Sequence, residues 1–360
     1  MARFTLSTVT PNWFASVMGT GIVANAAAGL PLQLPGMRQA AIAFWLLASA
    51  LLVLLLVATA IHWFRYPQVA RLHHLNPVMA HFYGAPPMAL LTVGAGAILV
   101  GRDVIGVPAA IAVDAVLWTV GTIGGLVSAI LVPYLAFTRH ENTTNSVFGG
   151  WLMPVVPPMV SAATGALLLP YVPAGQARES LLLGCYAMFG LSLLASLIII
   201  VQLWQRLTVH RVGPTALVPT LWIVLGPLGQ SITAVNLLAG NASGAFGAGF
   251  DRALLIFAIV YGMSVLGFAL LWLAIAAIIT IRTARQGLPF SLTWWSLTFP
   301  VGTCVTGTAG LAAHTGLVAI GALSVALFLF LVAAWLTVAV NTTRANLRRP
   351  ARDEQFAPAA

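Results

Sequence analysis

Lysine does not occur in this chain, cysteine occurs twice, and only seven acidic residues are spread over 360 positions. Each scarcity removes a class of protein. Cys185 and Cys304 both lie inside apolar segments and build neither a disulfide framework nor a metal cluster. There is no GxxxxGK phosphate loop and no HExxH helix, so no cofactor and no metal is expected. No two acids share an apolar segment, which leaves paired acid–base chemistry nothing to stand on; the chain does not read as an enzyme. Charged residues make up 6% and apolar ones 60%, a balance no water-soluble globule of this length shows. The formal charge of +9 comes from 16 basic residues, all arginine. They sit almost entirely at segment ends and so mark topology, not a nucleic-acid face. The missing lysine reads as a compositional bias of the source.

What is present is a repeat. A Trp or Tyr near the start of an apolar run, followed by a small or Pro/Gly-rich break, occurs at Trp13, Tyr83, Trp151, Trp222 and Trp295. The successive spacings are 70, 68, 71 and 73 residues, which is the mark of repeated structural units. A period of roughly 70 holds two membrane-spanning helices of about 20 residues each, with their loops. The sequence therefore predicts an all-α integral membrane protein of ten transmembrane helices in five helical hairpins. The segments are placed at about 11–30, 38–63, 76–100, 109–137, 149–170, 179–205, 214–240, 252–281, 289–312 and 315–341. Residues 1–10 read as a cytoplasmic N-terminal segment, 11–341 as the membrane domain, and 342–360 as a polar, disordered cytoplasmic tail. Ala24-Asn25-Ala26 resembles a signal-peptidase site, but removing the first segment would leave the set of repeats incomplete.

The two members of each pair differ. Even-numbered segments are rich in Leu, Ala, Val and Ile with few breaks, as lipid-facing helices are. Odd-numbered segments hold Pro86-Pro87, Pro157-Pro158, Pro227 and Pro300. A proline in lipid leaves backbone carbonyls unpaired, so these belong where protein or a water-filled cavity satisfies them. Five inner helices surrounded by five outer ones follow. Twelve arginines fall on the side of the even-to-odd loops and the termini, against Arg38, Arg102, Arg178 and Arg252 on the other. The positive-inside rule puts both termini in the cytoplasm. The same arginines would enrich anions at an inner mouth, although topology alone accounts for them.

The residue before each proline serves as a register mark. Phe299 then lies level with Gly226, Val156 and Ala85, and in the first repeat with Val17 or Met18. Four mostly small residues and one Phe read either as an opening closed by one side chain or as ordinary core packing. Pro300 is expected to kink its helix by leaving the carbonyl of Ser296 without a donor. Ser296, Thr303 and Thr306 share a helical face with Phe299, as pore-lining hydroxyls would. Further lining or kink candidates are Gly21, Pro86, Pro157, Pro227, Gln230 and Pro300. No acid lies mid-helix in the inner set, which argues against a cation path. His81 reads as a titrating or substrate-binding group, or as a hydrogen-bonded interface histidine. Asp114 reads as an aid to proton coupling, or as an acid snorkelling to the interface.

Trp13-Phe-Ala-Ser-Val-Met-Gly-Thr-Gly-Ile22, Gly150-Trp-Leu-Met-Pro-Val-Val-Pro158 and Trp294-Trp-Ser-Leu-Thr-Phe-Pro300 resemble the tellurite-resistance/dicarboxylate transporter family. That family includes bacterial tellurite-resistance channels, plant slow anion channels, fungal malate permeases and fungal sulfite efflux pumps. The resemblance covers about residues 11–341 and implies quasi-five-fold symmetry, a pore through the inner helices, a homotrimer, and Phe299 as the occluding residue. The first repeat lacks the proline kink. The resulting expectation is an anion pathway in the plasma membrane, for malate or another C4-dicarboxylate first. Sulfite efflux or a tellurite-resistance-type anion channel is the alternative. A membrane-embedded enzyme and a non-transporting receptor or assembly subunit are the rival classes.

Overall fold

The computed structural model describes residues 4–242 and 245–347. In chain order the helices are α1 (Phe14–Gly29), α2 (Met37–Arg65), the short α3 (Pro67–Leu75), α4 (Ala85–Gly96) and α5 (Arg102–Ile105). Then come α6 (Val107–Thr138), α7 (Pro157–Leu168), α8 (Gln176–His210), α9 (Leu225–Asn241), α10 (Ala248–Arg285), α11 (Phe299–Thr315) and α12 (Val318–Leu347). No strand occurs among the described residues. Seven helical spans are long and apolar enough to cross a membrane: α2, Met79–Ile105, α6, α8, Thr215–Asn241, α10 and α12. The other three expected segments contain α1, α7 and α11, whose α-helical parts have 16, 12 and 17 residues.

Those three are short because the chain enters them through 3-10 turns, as it also enters α4 and α9. The lead-ins are Pro11–Trp13, Met79–Gly84, Gly149–Leu152, Thr215–Val224 and Leu292–Leu297. The prolines stand just after them, in the first turn of the α-helix: Pro86 in α4, Pro157 in α7, Pro227 in α9 and Pro300 in α11. There a missing N–H removes no intrahelical bond. The expected kink at Pro300 is accordingly a change of helix type, with Thr298 bonding back to Trp295 and Gly302 to Thr298.

α1, α4, α7, α9 and α11 pack each on the next, and α11 closes back onto α1. Their lead-ins make a second closed circuit in the same order. At Gly149 a Cβ would collide with the carbonyl of Thr220 in the neighbouring lead-in, so only glycine permits this approach. Each of α2, α6, α8, α10 and α12 lies against the ring helix before it and also touches the next one round, α12 reaching α1. Burial separates the layers: 67% and 94% of the apolar windows holding α4 and α9 are buried, against at most 28% for the outer helices.

The outer helices present a narrow seam to the ring. On α2 it runs through Ala41, Trp45, Ala48, Leu52, Leu55, Ala58 and His62, a helical stripe of steps three and four. On α6 it includes Gly121, Gly125 and Ser128, and on α8 Cys185, Ser192 and Ser196. Small residues allow the close packing that apolar lipid tails do not drive. Indoles add direct bonds: Trp45 to the Val93 carbonyl at 3.1 Å, Trp118 to that of Ser161 at 2.9 Å, and Trp272 to that of Leu221 at 2.9 Å. Trp335 of α12 donates to Thr20 Oγ1 of α1 at 3.0 Å, which fastens the last outer helix to the first ring helix.

Each of the five turns from a ring helix to the following outer helix carries a glycine with positive φ: Gly36, Gly106, Gly175, Gly247 and Gly316. At the opposite end, Phe4 N donates to Asn346 Oδ1 at 2.9 Å, bringing the two ends of the described chain together. α12 runs to Leu347, so 342–347 is helical rather than part of a disordered tail; residues 348–360 lie outside the described residues. His73 sits on α3, its ring stacked on that of His62 with centroids 5.4 Å apart. Burial and the neighbouring His62 and His74 hold its pKa below the usual histidine value.

Gly149→Ala should cost about 1–3 kcal/mol through overpacking at the lead-in circuit, seen as a lower thermal-denaturation midpoint. Gly184→Ala, which meets open space on the outer face of α8, should leave the midpoint unchanged or raise it.

Candidate functional site

Two cavities lie along the ring axis, each lined by residues from all five ring segments. The first, on the lead-in side, measures about 30 Å³. Met18 (α1), Phe82 and Met88 (third segment), Met153 and Val156 (before α7), Gly226 and Pro227 (α9) and Phe299 surround it. Ser296, Trp295 and Pro300 complete the wall beside Phe299. It has room for little more than a water or two and scarcely a polar group to bond them, so it stays dry. Phe299 is the first residue of α11 and is 95% buried, with 5% exposure.

The second cavity, on the far side, is about 310 Å³ and polar without being charged. Asn25, Thr164, Gln230, Thr233, Asn236, Asn241, Thr306 and His314 contribute to it. Every ring helix passes from one cavity to the other within about two turns. On α9 the step is from Gly226 and Pro227 to Gln230, on α1 from Met18 to Ile22, and on α11 from Phe299 to Thr306. Many of the polar groups are anchored. Thr233 Oγ1 reaches Thr306 Oγ1 at 2.7 Å and Gly229 O at 3.0 Å; Asn25 Nδ2 donates to Thr92 O at 3.1 Å. His314 Nδ1 lies 2.9 Å from Asn236 Oδ1.

Of the residues singled out from sequence, Met18, Val156, Gly226, Pro227, Ser296, Phe299 and Pro300 meet around the small cavity. Gln230 and Thr306 line the large one. The others lie elsewhere. Val17 and Ala85 are fully enclosed in the core; of the two candidates in the first repeat it is Met18 that lines the cavity, while Phe82 and Met88 line where Ala85 was placed. Gly21 packs under Thr92 at the crossing of α1 and α4. Pro157 seats against Gly125 of α6, and Pro86 is half-buried in the first turn of α4. Thr303 does not face the axis. α9 and α11 approach so closely at Gly229 that a Cβ there would stand 2.5 Å from Thr303 Oγ1 and the Cys304 nitrogen. The hydroxyl is drawn into that contact, onto Pro300 O at 2.7 Å and Leu225 and Gly226 O at 3.3 Å.

The two titratable candidates are also off the axis. His81 is buried in its lead-in, stacked on Trp151 at 5.3 Å and edge-on to Phe148 at 5.7 Å, with neither ring nitrogen hydrogen-bonded. Asp114 does not snorkel. It is fully buried against Gly94 of α4, and neither carboxylate oxygen has a hydrogen-bond partner. Phe82, Met153, Asn25, Thr233, Asn236 and His314 were not anticipated. For Asn25, Thr233 and Asn236 the signal was available: each is a polar residue in the second half of an otherwise apolar segment; His314 fell between the ninth and tenth segments. No group of His, Cys, Asp and Glu arranged to hold a metal ion occurs among the described residues.

A closed ring of buried helices around an uncharged axial path, sheathed by lipid-compatible helices, is the build of a membrane transport protein. The profile of the voltage-dependent anion channel family (SLAC1) matches residues 8–343, and the chain belongs to that family. An uncharacterized transporter of Methanocaldococcus jannaschii is 28% identical over 299 residues, 83% of this chain and 82% of the relative. The sulfite efflux pump SSU1 of Trichophyton rubrum is 28% identical, covering 84% of this chain and 81% of its own length. SSU1 of Arthroderma otae is 27% identical over 339 residues, 92% and 89% of the two chains. The protein is thus a multi-pass membrane protein of a channel and transporter family, as the sequence motifs indicated.

Thr303→Val should cost about 0.5–1.5 kcal/mol, the usual net worth of a hydrogen bond. A lower denaturation midpoint for the purified variant checks that Thr303 ties α11 to α9.

Proposed function

We propose that the protein is a pathway for small anions across the plasma membrane, gated at Phe299, with sulfite as its first substrate. The observation that carries this reading is the axial path itself, which narrows to a dry gap at the Phe299 ring, with Phe82 and Trp295 beside it, and opens beyond it into an uncharged vestibule with polar side chains in its wall. An ion that must keep part of its hydration shell cannot cross such a gap while the ring fills it. Among the described residues no acid lines either cavity, so no fixed negative charge favours a cation there. The relatives named as sulfite efflux pumps put sulfite ahead of malate in this reading, the order opposite to the one taken from the family resemblance. A C4-dicarboxylate stays in the substrate panel.

In this reading α1, α7 and α11, extended by their lead-ins, cross the bilayer along with the seven longer spans. That makes ten helices in five hairpins of quasi-five-fold symmetry. Residues 11–341 are the pathway domain. Both termini face the cytoplasm, so the dry gap lies toward the inside and the vestibule opens outward. The family resemblance makes a homotrimer the assembly, each protomer with its own path.

Reporter fusions at Arg71, Arg211 and Arg285 should score as cytoplasmic, and fusions at Arg102, Arg178 and Arg252 as external; an external result at any of the first three removes this topology. For the gate, Phe299→Ala in proteoliposomes should raise basal sulfite flux severalfold, and Phe299→Leu should raise it less. A residue that only packs the core would instead cost about 3–5 kcal/mol on truncation with no gain in flux. Measuring the melting midpoint beside the flux separates the two.

A further inference from the structure

Among the described residues that line the vestibule, His314 is the one ionisable side chain. Its orientation follows from a short chain of bonds. Asn236 Nδ2 donates to Ile232 O at 2.8 Å, which turns Oδ1 of that amide toward the imidazole. Oδ1 only accepts, so His314 Nδ1, 2.9 Å away, carries the proton of the pair. In the neutral ring Nε2 is therefore a bare lone pair. It faces Gly240 of α9, where an added Cβ would lie 3.7 Å from it and nothing now stands in the way. Protonation converts that same atom into a charged N–H donor without moving the ring.

The surroundings make this conversion decisive. The second halves of all five ring helices line the vestibule, so their C-terminal ends, with their partial negative charge, lie toward this side. α1 contributes Ile22, Asn25 and Gly29, α7 Thr164, and α9 its amides and Thr233, none of them charged. The ionisable residues nearer this end of the bundle include Arg38, Arg102, Asp103, Arg178, Glu179, Asp251 and Arg252, and the buried Asp114, which packs on Gly94 of α4. Arg102 and Asp103 close the third ring segment and the others stand on outer helices; none lines the cavity, and Arg38 is paired with Asp103 at 2.7 Å. Only a proton on His314 gives an anion a full positive charge to meet.

We propose that the outer vestibule is a proton-controlled oxyanion site, in which the Nε2–H of protonated His314 binds the anion beside Gly240 of α9. The site rests on the anion-pathway reading above and gives that pathway a dependence on external acidity. In proteoliposomes with the inside pH clamped, sulfite flux through the wild type should rise severalfold as the pH on the vestibule side falls from about 8 to about 5.5, the range over which histidine titrates. His314→Gln keeps a polar side chain but has no such titration. Its flux, referenced to its own value at the alkaline end, should be flat apart from the change in sulfite speciation shared by all samples. Gly240→Val leaves His314 in place, puts a side chain over Nε2, and should flatten the profile in the same way. Size-exclusion profiles and melting midpoints certify that each variant is folded. Sulfite flux with the same pH profile in the wild type and in a folded variant would overturn the site while leaving the pathway standing. Absence of flux in the wild type at every pH would overturn the pathway and the site with it.

Discussion

The constraint on which this structure turns is that no backbone N–H or C=O can go unpaired in lipid. A pathway for ions needs irregular backbone somewhere, and among the described residues the changes of helix type are confined to the ring segments. The 3-10 lead-ins, the prolines in first turns and the π-helical turn Ala97–Gly101 all belong to ring segments. The outer helices that meet lipid run 29 to 38 residues without a break in helix type. Pro133 of α6 is the one interior proline on a long outer helix. The double layer is thus a division of labour: regular helices seal against lipid, so irregular ones can line a path.

Much of this was legible in the sequence, for physical reasons. The 70-residue period survives because each hairpin repeats the same aromatic, break and apolar run. The prolines told the ring from its sheath because lipid tolerates them badly. Gly36, Gly106, Gly175, Gly247 and Gly316 were in plain view as well, and each became the positive-φ residue of an equivalent turn.

The level of individual side chains was not legible. A face argument over Ser296, Phe299, Thr303 and Thr306 assumes one continuous α-helix, and the chain changes helix type between Leu297 and Phe299. Thr303 then meets α9 instead of the axis, because Gly229 lets two backbones touch. The same limit applies to Ala85, whose neighbours Phe82 and Met88 reach the cavity from the lead-in and the following turn. His314 escaped notice because a lone histidine near a segment end looks like any interfacial residue. Its meaning comes from Asn236, 78 positions away in the chain.

The seam on the outer helices has a consequence for how such a chain carries information. About a quarter of each outer helix touches the ring, and what marks those positions is volume, not polarity: Ala48, Gly121, Ser192, Gly262, Ser324. The remaining positions need only dissolve in hydrocarbon, where Leu, Ile, Val and Phe are near synonyms. The text of the fold is therefore written in a sparse alphabet of sizes, set in long stretches of interchangeable apolar letters. Relatives that read only 27–28% alike can on this account spell the same message.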